Sequence, residues 1–311
     1  MKILNKSSIK IITYHYVKNP ATTPYKKFNF LSTTAFKQQL RYIKNTGTFI
    51  TINDIIHSIN EGRPLPSNAT LLTFDDGYSD HYDEVFPLLK EANIKGCFYP
   101  PGACIQSGII LDVNKIHLIL SLAPSPDEVL LAIKKYWLED PPGLLFEDAW
   151  KDYAIANQFD APKIIFLKRL LQHALPDPWR QRWLNSLFEV YVSKDPKDFS
   201  QSFYLNPVQI EEMISDGQHF GSHGYNHKWL DRLSYTEQYE EIANSIAFLN
   251  SVGSDGPLSI CYPYGGWNAD TLKVVKQFDF RIGLTIESGV ADLSVDNLLT
   301  LPRIDAVKIN P

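Results

Sequence analysis

Apolar residues in the first hundred positions fall into two patterns. Short unbroken runs of apolar residues, bounded by polar or turn residues, predict buried β-strands, and they lie at Ile9–Val17, "ATLLTF" (69–74) and "KGCFYP" (95–100). Longer segments with an apolar residue every three to four positions predict helices, and they lie at Ser32–Thr46, Ile52–Asn60 and Asp83–Ala92. Strands that alternate with helices in this way predict parallel pairing and an α/β fold.

The middle of the chain has a different pattern. From Cys104 to about Ser200 the apolar positions keep helical spacing, no strand pattern is present, and proline-containing breaks separate the segments. We therefore predict an α-helical insertion of three to five helices over residues 104–200. The α/β pattern resumes at "NPVQIEEMISDG" and continues to "LPRID" near the C-terminus. The predicted domains are a discontinuous α/β domain, residues 1–103 and 201–311, and the insertion.

Composition narrows the class of protein. With 44% hydrophobic residues the 311-residue chain can bury a large core, and its net charge of -5, without any Lys/Arg run, argues against a nucleic-acid or anionic-membrane partner. The sequence shows neither a signal-peptide pattern nor the roughly 20 consecutive apolar residues of a transmembrane segment. Three scattered cysteines, Cys97, Cys104 and Cys261, suit a reducing compartment. These features predict a cytoplasmic protein.

Two clusters of polar residues follow predicted strands. "TFDDGYSD" places Asp75 and Asp76 at the tip of an apolar run, and "FGSHGYNHKWL" places His223 and His227 four positions apart just past another. Two imidazoles and a carboxylate are a common ligand set for a divalent metal. The carboxylates could instead cap a helix, and the histidines could be surface residues of a turn. Their location at the C-terminal ends of parallel strands, where α/β active sites form, favours the metal site.

The order of three motifs resembles a known family. "TFDDG", "SHGYNH" and "CYPYG" are similar to the first three motifs of the polysaccharide deacetylases, also called the NodB homology domain or carbohydrate esterase family four. The resemblance covers about residues 9–103 and 203–308 and leaves the insertion outside. It implies a deformed (β/α) barrel and metal-dependent removal of an N- or O-acyl group from a sugar.

The resemblance implies a role for each matching residue. Asp75 resembles the general base, Asp76 the metal ligand, and His223 and His227 the other two ligands. In "CYPYG" the backbone N–H of Tyr264 resembles the group that binds the tetrahedral oxyanion. From the residues alone, this segment is equally a Pro-Tyr-Gly turn that closes a strand.

Two positions depart from the family pattern. Many members have an arginine just before the third motif, where this chain has Cys261, and Arg303 in "LPRID" resembles the substitute found in a subgroup. Arg303 could otherwise pair with Asp305 on the surface. The late histidine that usually serves as general acid is absent, and "TYHYV" resembles a permuted subgroup that includes exported deacetylases of poly-N-acetylglucosamine. There His15 would be the acid, although a lone histidine in an apolar strand is more often a hydrogen-bonded core residue.

These features together predict a metal-dependent deacylase. Zinc is the expected ion, and nickel, cobalt, iron or manganese would suit the same ligands. The expected substrate is an N-acylated sugar, most simply N-acetylated, that is nucleotide-linked, lipid-linked or part of an oligosaccharide of a bacterial surface polysaccharide. The insertion could form a lid, a substrate wall or the contact of a homo-oligomer. The rivals are a deformylase or amidase of the same fold and a non-catalytic carbohydrate-binding protein.

Aromatic residues give a weaker signal. Tyr225 and Trp229 flank the histidine pair, where their rings could stack on a sugar. The tryptophans of the insertion share helical spacing with Leu and Val, so we expect them to pack in its core.

Overall fold

A computed structural model describes residues 8–156 and 160–311. Parallel strands dominate the sheet, as the alternating pattern predicts. The strands are β1 Ser8–Tyr14, β2 Val17–Lys18, β3 Leu31–Ser32, β4 Thr48–Phe49, β5 Ala69–Asp75, β6 Cys97–Tyr99, β7 His219–Phe220, β8 Ser259–Cys261, β9 Ile282–Ser288, β10 Ala291–Asp292 and β11 Leu301–Asp305.

The main sheet nearly closes into a barrel. Its strand order is β7-β6-β5-β1-β11-β9-β8, with β4 beside β5 and a short antiparallel β10 beside β1. An isolated parallel bridge between Ser222 and Ile260 joins the two ends of this order. The C-terminal ends of the parallel strands therefore face one rim of the barrel, which is where active sites of such folds form.

Thirteen α-helices follow or connect the strands in the described part of the chain. They are α1 Thr33–Thr46, α2 Ile52–Glu61, α3 Phe86–Ala92, α4 Gly102–Ser107, α5 Asp112–Leu122, α6 Pro126–Glu139, α7 Phe146–Tyr153, α8 Pro162–Arg169, α9 Asp177–Tyr191, α10 Pro196–Phe203, α11 Pro207–Ser215, α12 Tyr235–Ser251 and α13 Ala269–Gln277. Their starts follow local capping chemistry. Ser32 caps α1, and reciprocal capping boxes begin α2 at Thr51, α11 at Asn206 and α12 at Ser234.

Burial explains why the strands read as apolar runs. All seven residues of β5 are buried, and its two faces contribute to different apolar clusters. Phe74 stacks on Phe98 of β6 and on Tyr14 of β1, with ring centroids 4.7 and 5.1 Å apart. A strand covered on both faces needs no alternation of polar and apolar residues, so a continuous run is its signature.

Some predicted boundaries are wrong. β1 ends at Tyr14 rather than continuing to Val17, so His15 lies past the strand. The helix predicted from Asp83 begins instead as a π-helical turn at His81–Val85 before α3. Sequence patterns do not reveal such a turn, because its side-chain spacing differs little from that of an α-helix. The two-residue strands carry too few residues to show any period.

Contacts divide the described chain into two compact units. The first comprises the described residues up to Thr22 together with Phe30–Gly108 and Ser200–Pro311. The second comprises Thr23–Asn29 and Ile109–Phe199. The insertion predicted over 104–200 begins a few residues before the main segment of this helical unit, ends one residue after it, and lacks the segment 23–29.

The helical unit has its own apolar core and a cleft. Ile133, Phe166, Leu184 and Phe188 are fully buried. A cavity of about 530 Å³ is lined by the side chains of Leu130, Lys134, Trp137, Leu138, Phe146, Glu147 and Trp150. Two of the tryptophans that we expected to pack in the core therefore also form a cleft wall. Among the helices that the structure describes, none combines the length and apolar character required to cross a bilayer.

Candidate active site

The barrel rim gathers the residues predicted from the three motifs. Asp75 is the last residue of β5 and Asp76 follows it, while His223 and His227 lie just past β7. All four side chains are buried. Parallel pairing places these strand ends at one edge, which explains how segments about 150 positions apart come together.

Asp76, His223 and His227 form a group that could hold a metal ion. One ligand atom from each side chain lies within 4.8 Å of the others. Oδ1 of Asp76 is 3.4 Å from Nε2 of both histidines, and the two Nε2 atoms are 3.2 Å apart. Nδ1 of His223 bonds the carbonyl oxygen of Cys261 at 2.7 Å, which leaves its Nε2 facing the group.

The charge balance of this group suits a cation. Burial alone would raise the pKa of Asp76, but His223 and His227 outweigh it and hold that pKa far below its ordinary value. Burial and the charge of His223 lower the pKa of His227 to about 3, whereas the pKa of His223 is raised. Two imidazole nitrogens this close repel each other unless a proton or a cation lies between them. The donor set therefore fits a divalent metal of the first transition row.

Asp75 has a different environment from its neighbour. Arg303 donates from Nη1 to Oδ1 at 2.9 Å and from Nη2 to Oδ2 at 2.8 Å. Burial raises the pKa of Asp75, but the guanidinium outweighs it and keeps that pKa well below its ordinary value. Asp75 is thus ionised throughout the working pH range of most enzymes. Arg303 is itself buried, so the alternative of a surface pair with Asp305 is wrong.

Two further groups donate to Asp75. The thiol of Cys261 lies 3.4 Å from Oδ2 and the hydroxyl of Thr13 lies 3.3 Å from the same atom. Burial raises the pKa of the Cys261 thiol, which favours a protonated donor over a thiolate ligand. Cys261 and Thr13 therefore add two donors to the carboxylate that Arg303 holds.

His15 lies at the open side of the site. Its Nε2 is 3.8 Å from Oδ2 of Asp75, and about half of its side chain is exposed. The alternative of a buried core histidine is therefore wrong, because the chain leaves β1 at Tyr14. The carbonyl oxygen of His15 accepts a bond from Nε2 of buried His81 at 2.9 Å, which fixes the backbone there.

The third motif forms a turn beside the histidines. Tyr264 adopts a left-handed backbone conformation with φ 56°, and its ring lies 4.6 Å from that of His227. Trp229 stacks on Tyr264 at 4.3 Å, and the Arg232 guanidinium lies 4.1 Å from the centroid of the Trp229 ring. The ring of Trp229 thus already packs against two side chains of this chain. The ring of Tyr225 packs on Gly102, where a methyl group would lie 2.6 Å away.

Backbone strain is concentrated in the site. Asp76 (φ 70°) and His227 (φ 56°) share the left-handed conformation of Tyr264, as do a few non-glycine residues elsewhere. Such conformations cost about 1 kcal/mol or more for residues with a side chain. Gly77, the residue after Asp76, is left-handed as well, and a Cβ there would lie 2.5 Å from Pro100.

Sequence reasoning missed several residues that support the site. The hydroxyl of Tyr78 bonds Oδ2 of Asp76, and His81 holds the carbonyl of His15. Buried Glu241 on α12 accepts bonds from the backbone N–H of Asn226 at 2.5 Å and its amide at 2.9 Å, between the two histidines. Tyr78 stands next to the first motif, which is the one signal that could have identified it.

Comparison with known proteins agrees with this geometry. The family model described as polysaccharide deacetylase matches residues 62–130 and 185–283, together more than half of the chain. The poly-beta-1,6-N-acetyl-D-glucosamine N-deacetylase of Escherichia coli K12 is 31% identical over 300 residues. That alignment covers 94% of this chain, which spans 36% of the length of the relative.

Solved structures share the fold across almost the whole chain. A Streptococcus pyogenes deacetylase, PplD, in complex with acetate superposes with a TM-score of 0.61 at 18% identity, covering 97% of this chain and 93% of that one. IcaB from Ammonifex degensii superposes with a TM-score of 0.58 at 17% identity, covering 96% and 91%. The predicted α/β barrel with additional helices is therefore confirmed.

Proposed function

The chain belongs to the polysaccharide deacetylase family, and on that premise we propose that it hydrolyses the N-acetyl group from glucosamine units of a polysaccharide. The observation that carries this proposal is the contrast between two neighbouring carboxylates. Asp76 faces two imidazole nitrogens, whereas Asp75 is held by Arg303. One acidic residue suited to a cation and one kept apart from it are what metal-assisted hydrolysis of an amide requires.

Asp76, His223 and His227 would hold the cation through Oδ1 and the two Nε2 atoms. Zinc suits this mixed set of nitrogen and oxygen ligands, and cobalt or nickel would bind the same atoms. A divalent cation there supplies positive charge that polarises the acyl carbonyl and lowers the pKa of the attacking water toward neutrality. A cation held by three protein ligands would keep coordination positions for both the acyl oxygen and the water.

Asp75 would accept the proton of the attacking water. The low pKa of its carboxyl keeps it ionised, so the base is ready at neutral pH. Arg303 holds both carboxylate oxygens and so fixes the orientation of the group. A base that cannot rotate keeps its lone pair directed at the water, which lowers the entropic part of the barrier.

Tyr264 and His15 would complete the reaction. The left-handed turn at Tyr264 lies beside His227, with the two rings 4.6 Å apart, and there the backbone N–H of Tyr264 would donate to the oxyanion. His15, exposed at the rim and 3.8 Å from Asp75, would give a proton to the departing sugar nitrogen. Carbon–nitrogen cleavage then releases acetate and a free amine.

The choice of substrate rests on the relative whose printed name is poly-beta-1,6-N-acetyl-D-glucosamine N-deacetylase. A polymer of this kind presents repeated N-acetyl groups, and a site open at a barrel rim can bind an internal unit of a chain. Our sequence-based alternative, a nucleotide-linked or lipid-linked precursor, differs in carrying a phosphate. The cytoplasmic location and the oligomeric state stay predictions.

The test is acetate release from defined oligomers. Zinc-loaded protein is incubated with β-1,6-linked and β-1,4-linked N-acetylglucosamine oligomers and with an N-formylated analogue, and acid and free amine are both measured. We expect acetate from the β-1,6 oligomers, and none from an Asp75→Asn variant with the same zinc content. Formate release alone would favour the deformylase. Stoichiometric zinc and oligomer binding without release of either acid would favour the non-catalytic binding protein.

A further inference from the structure

A buried tyrosine hydroxyl occupies one oxygen of the candidate metal ligand Asp76. Tyr78 Oη donates to Oδ2 of Asp76 at 2.5 Å, a distance typical of a charge-assisted O–H···O⁻ bond. The side chain of Tyr78 is almost completely buried. The motif resemblance assigns no role to this residue.

The surroundings of Tyr78 leave its ring little freedom. Its ring stacks on that of Tyr16 at 4.2 Å and lies edge-on to Phe203 at 5.5 Å. Its backbone pairs with Tyr204 in an isolated antiparallel bridge. On either side of this bridge, Ser79 N donates to Phe203 O at 3.0 Å and Leu205 N donates to Gly77 O at 2.8 Å. The position of the hydroxyl is therefore set by packing and by the backbone.

The occupied oxygen determines which side of Asp76 faces the histidines. With Oδ2 held by Tyr78, Oδ1 is the atom 3.4 Å from Nε2 of His223 and from Nε2 of His227. The carboxylate cannot rotate about its Cβ–Cγ bond without losing the hydroxyl. In this low-dielectric site the loss would leave a buried polar group without a partner.

We propose that Tyr78 is a positioning residue that makes Asp76 a one-oxygen ligand and so keeps a coordination position open. This inference rests on the metal site of the proposed function and deepens it. A carboxylate that bound through both oxygens would fill a position needed by the water or by the acyl oxygen. The Tyr78 hydroxyl prevents this by competing for Oδ2.

The test removes only the hydroxyl. We expect Tyr78→Phe to bind zinc 10- to 100-fold more weakly than wild type in a chelator competition, as for other groups that orient metal ligands. In cobalt-loaded protein we expect the visible absorption to weaken and shift, because binding of both oxygens raises the coordination number. Neither readout depends on turnover.

Tyr14→Phe is the matched control. Its hydroxyl is also buried and bonds a side chain, Gln39 Oε1 at 3.1 Å, within the same unit. We expect this variant to lose a similar buried hydrogen bond while keeping the zinc affinity and cobalt spectrum of the wild type. A change confined to Tyr78→Phe therefore reports on Asp76 rather than on general loosening.

A second measurement needs no variant. In a crystal structure of zinc-loaded wild-type protein we expect Oδ1 on the metal and Oδ2 still on the Tyr78 hydroxyl. Binding of both oxygens would overturn the inference, as would a Tyr78→Phe protein with unchanged affinity and spectrum. In those cases acetate release by the wild type would leave the proposed function intact. A wild-type protein that binds no metal would overturn both.

Discussion

The Arg303 guanidinium donates to both oxygens of the Asp75 carboxylate, with Nη1 2.9 Å from Oδ1 and Nη2 2.8 Å from Oδ2. Arg303 is on β11 and Asp75 is on β5, so the pair reaches across β1, which lies between those strands. The same guanidinium donates from Nε to the carbonyl oxygen of Thr285 at 2.9 Å and from Nη1 to the Thr73 hydroxyl at 3.2 Å. The side chain of Arg303, on β11, therefore bonds residues of β9 and β5 as well as the predicted base.

Removal of Arg303 should destabilise the fold. We expect Arg303→Met to lower the free energy of unfolding by about 3–5 kcal/mol, because it leaves Asp75 as an unpaired buried charge. Chemical denaturation of metal-free protein measures this. The exposed Arg281→Met should change stability by less than about 0.5 kcal/mol. The double variant Arg303→Met/Asp75→Asn should recover part of the loss, and equal stability of the single and double variants would contradict a charge-based explanation.

Loss of the rim histidine should affect chemistry and not metal binding. We expect His15→Ala to lower kcat by about 10²–10⁴-fold, the usual contribution of a general acid or base. Zinc affinity should match that of the wild type, since His15 is not one of the three proposed ligands. Steady-state kinetics on β-1,6 oligomers and a zinc titration check both statements, with the exposed His57→Ala as control. A rate within about threefold of wild type would assign the acid to another group.

Variants of His223 and of Asp75 should differ in how much zinc they retain. We expect His223→Ala to lose stoichiometric zinc, since it removes one of the three proposed ligands. Asp75→Asn should bind about one zinc per chain, because Arg303 rather than the cation holds that side chain. Elemental analysis after dialysis measures both. Equal loss of zinc in the two variants would refute the division of roles between Asp75 and the ligand group.

Buried His81 should make stability depend on pH. Burial lowers the pKa of His81 to about 4, from about 6.5 in the unfolded chain. The folded protein keeps this imidazole neutral, so its contribution to stability is complete above pH 6.5 and is lost as the pH falls toward 4. The loss should reach about 3 kcal/mol.

The measurement compares unfolding of wild type and His81→Gln between pH 7 and pH 4.5. Glutamine keeps a donor for the carbonyl of His15 and does not titrate, so the variant should show a shallower fall in stability. Identical slopes for both proteins would show that other groups, such as His227, cause the acid sensitivity.

The sequence predicts the residues of the candidate site more fully than the residues that hold them in position. Asp75, Asp76, His223 and His227 follow apolar runs, and parallel strands bring such positions to one rim. Arg303 could be identified only through the family resemblance, because its contact depends on which strand lies between β5 and β11. Sheet order is a long-range property that local spacing does not carry.

The residues that sequence reasoning missed support the site through hydrogen bonds of buried side chains. Tyr78 and His81 read as ordinary packing residues, since a buried hydroxyl or imidazole looks the same in sequence whether it bonds backbone or a ligand. The left-handed backbone of Asp76, His227 and Tyr264 is also not predictable, because residues with a side chain rarely adopt it. Gly77, directly after Asp76, has the left-handed conformation too, so glycine and site residues form the turn together.

The location of β1 has a consequence for how the protein forms during translation. β1 is the first of the described strands in chain order, yet it pairs with both β5 and β11, and β11 follows every other described strand. The register between Ile12 and Ile304 closes a loop of nearly the whole chain, which makes it a late and slow step. A nascent chain that lacks β11 exposes one edge of β1 and holds Asp75 without Arg303. Closure of the sheet between β1 and β9 and the pairing of Asp75 with Arg303 therefore depend on the same strand and occur in one step.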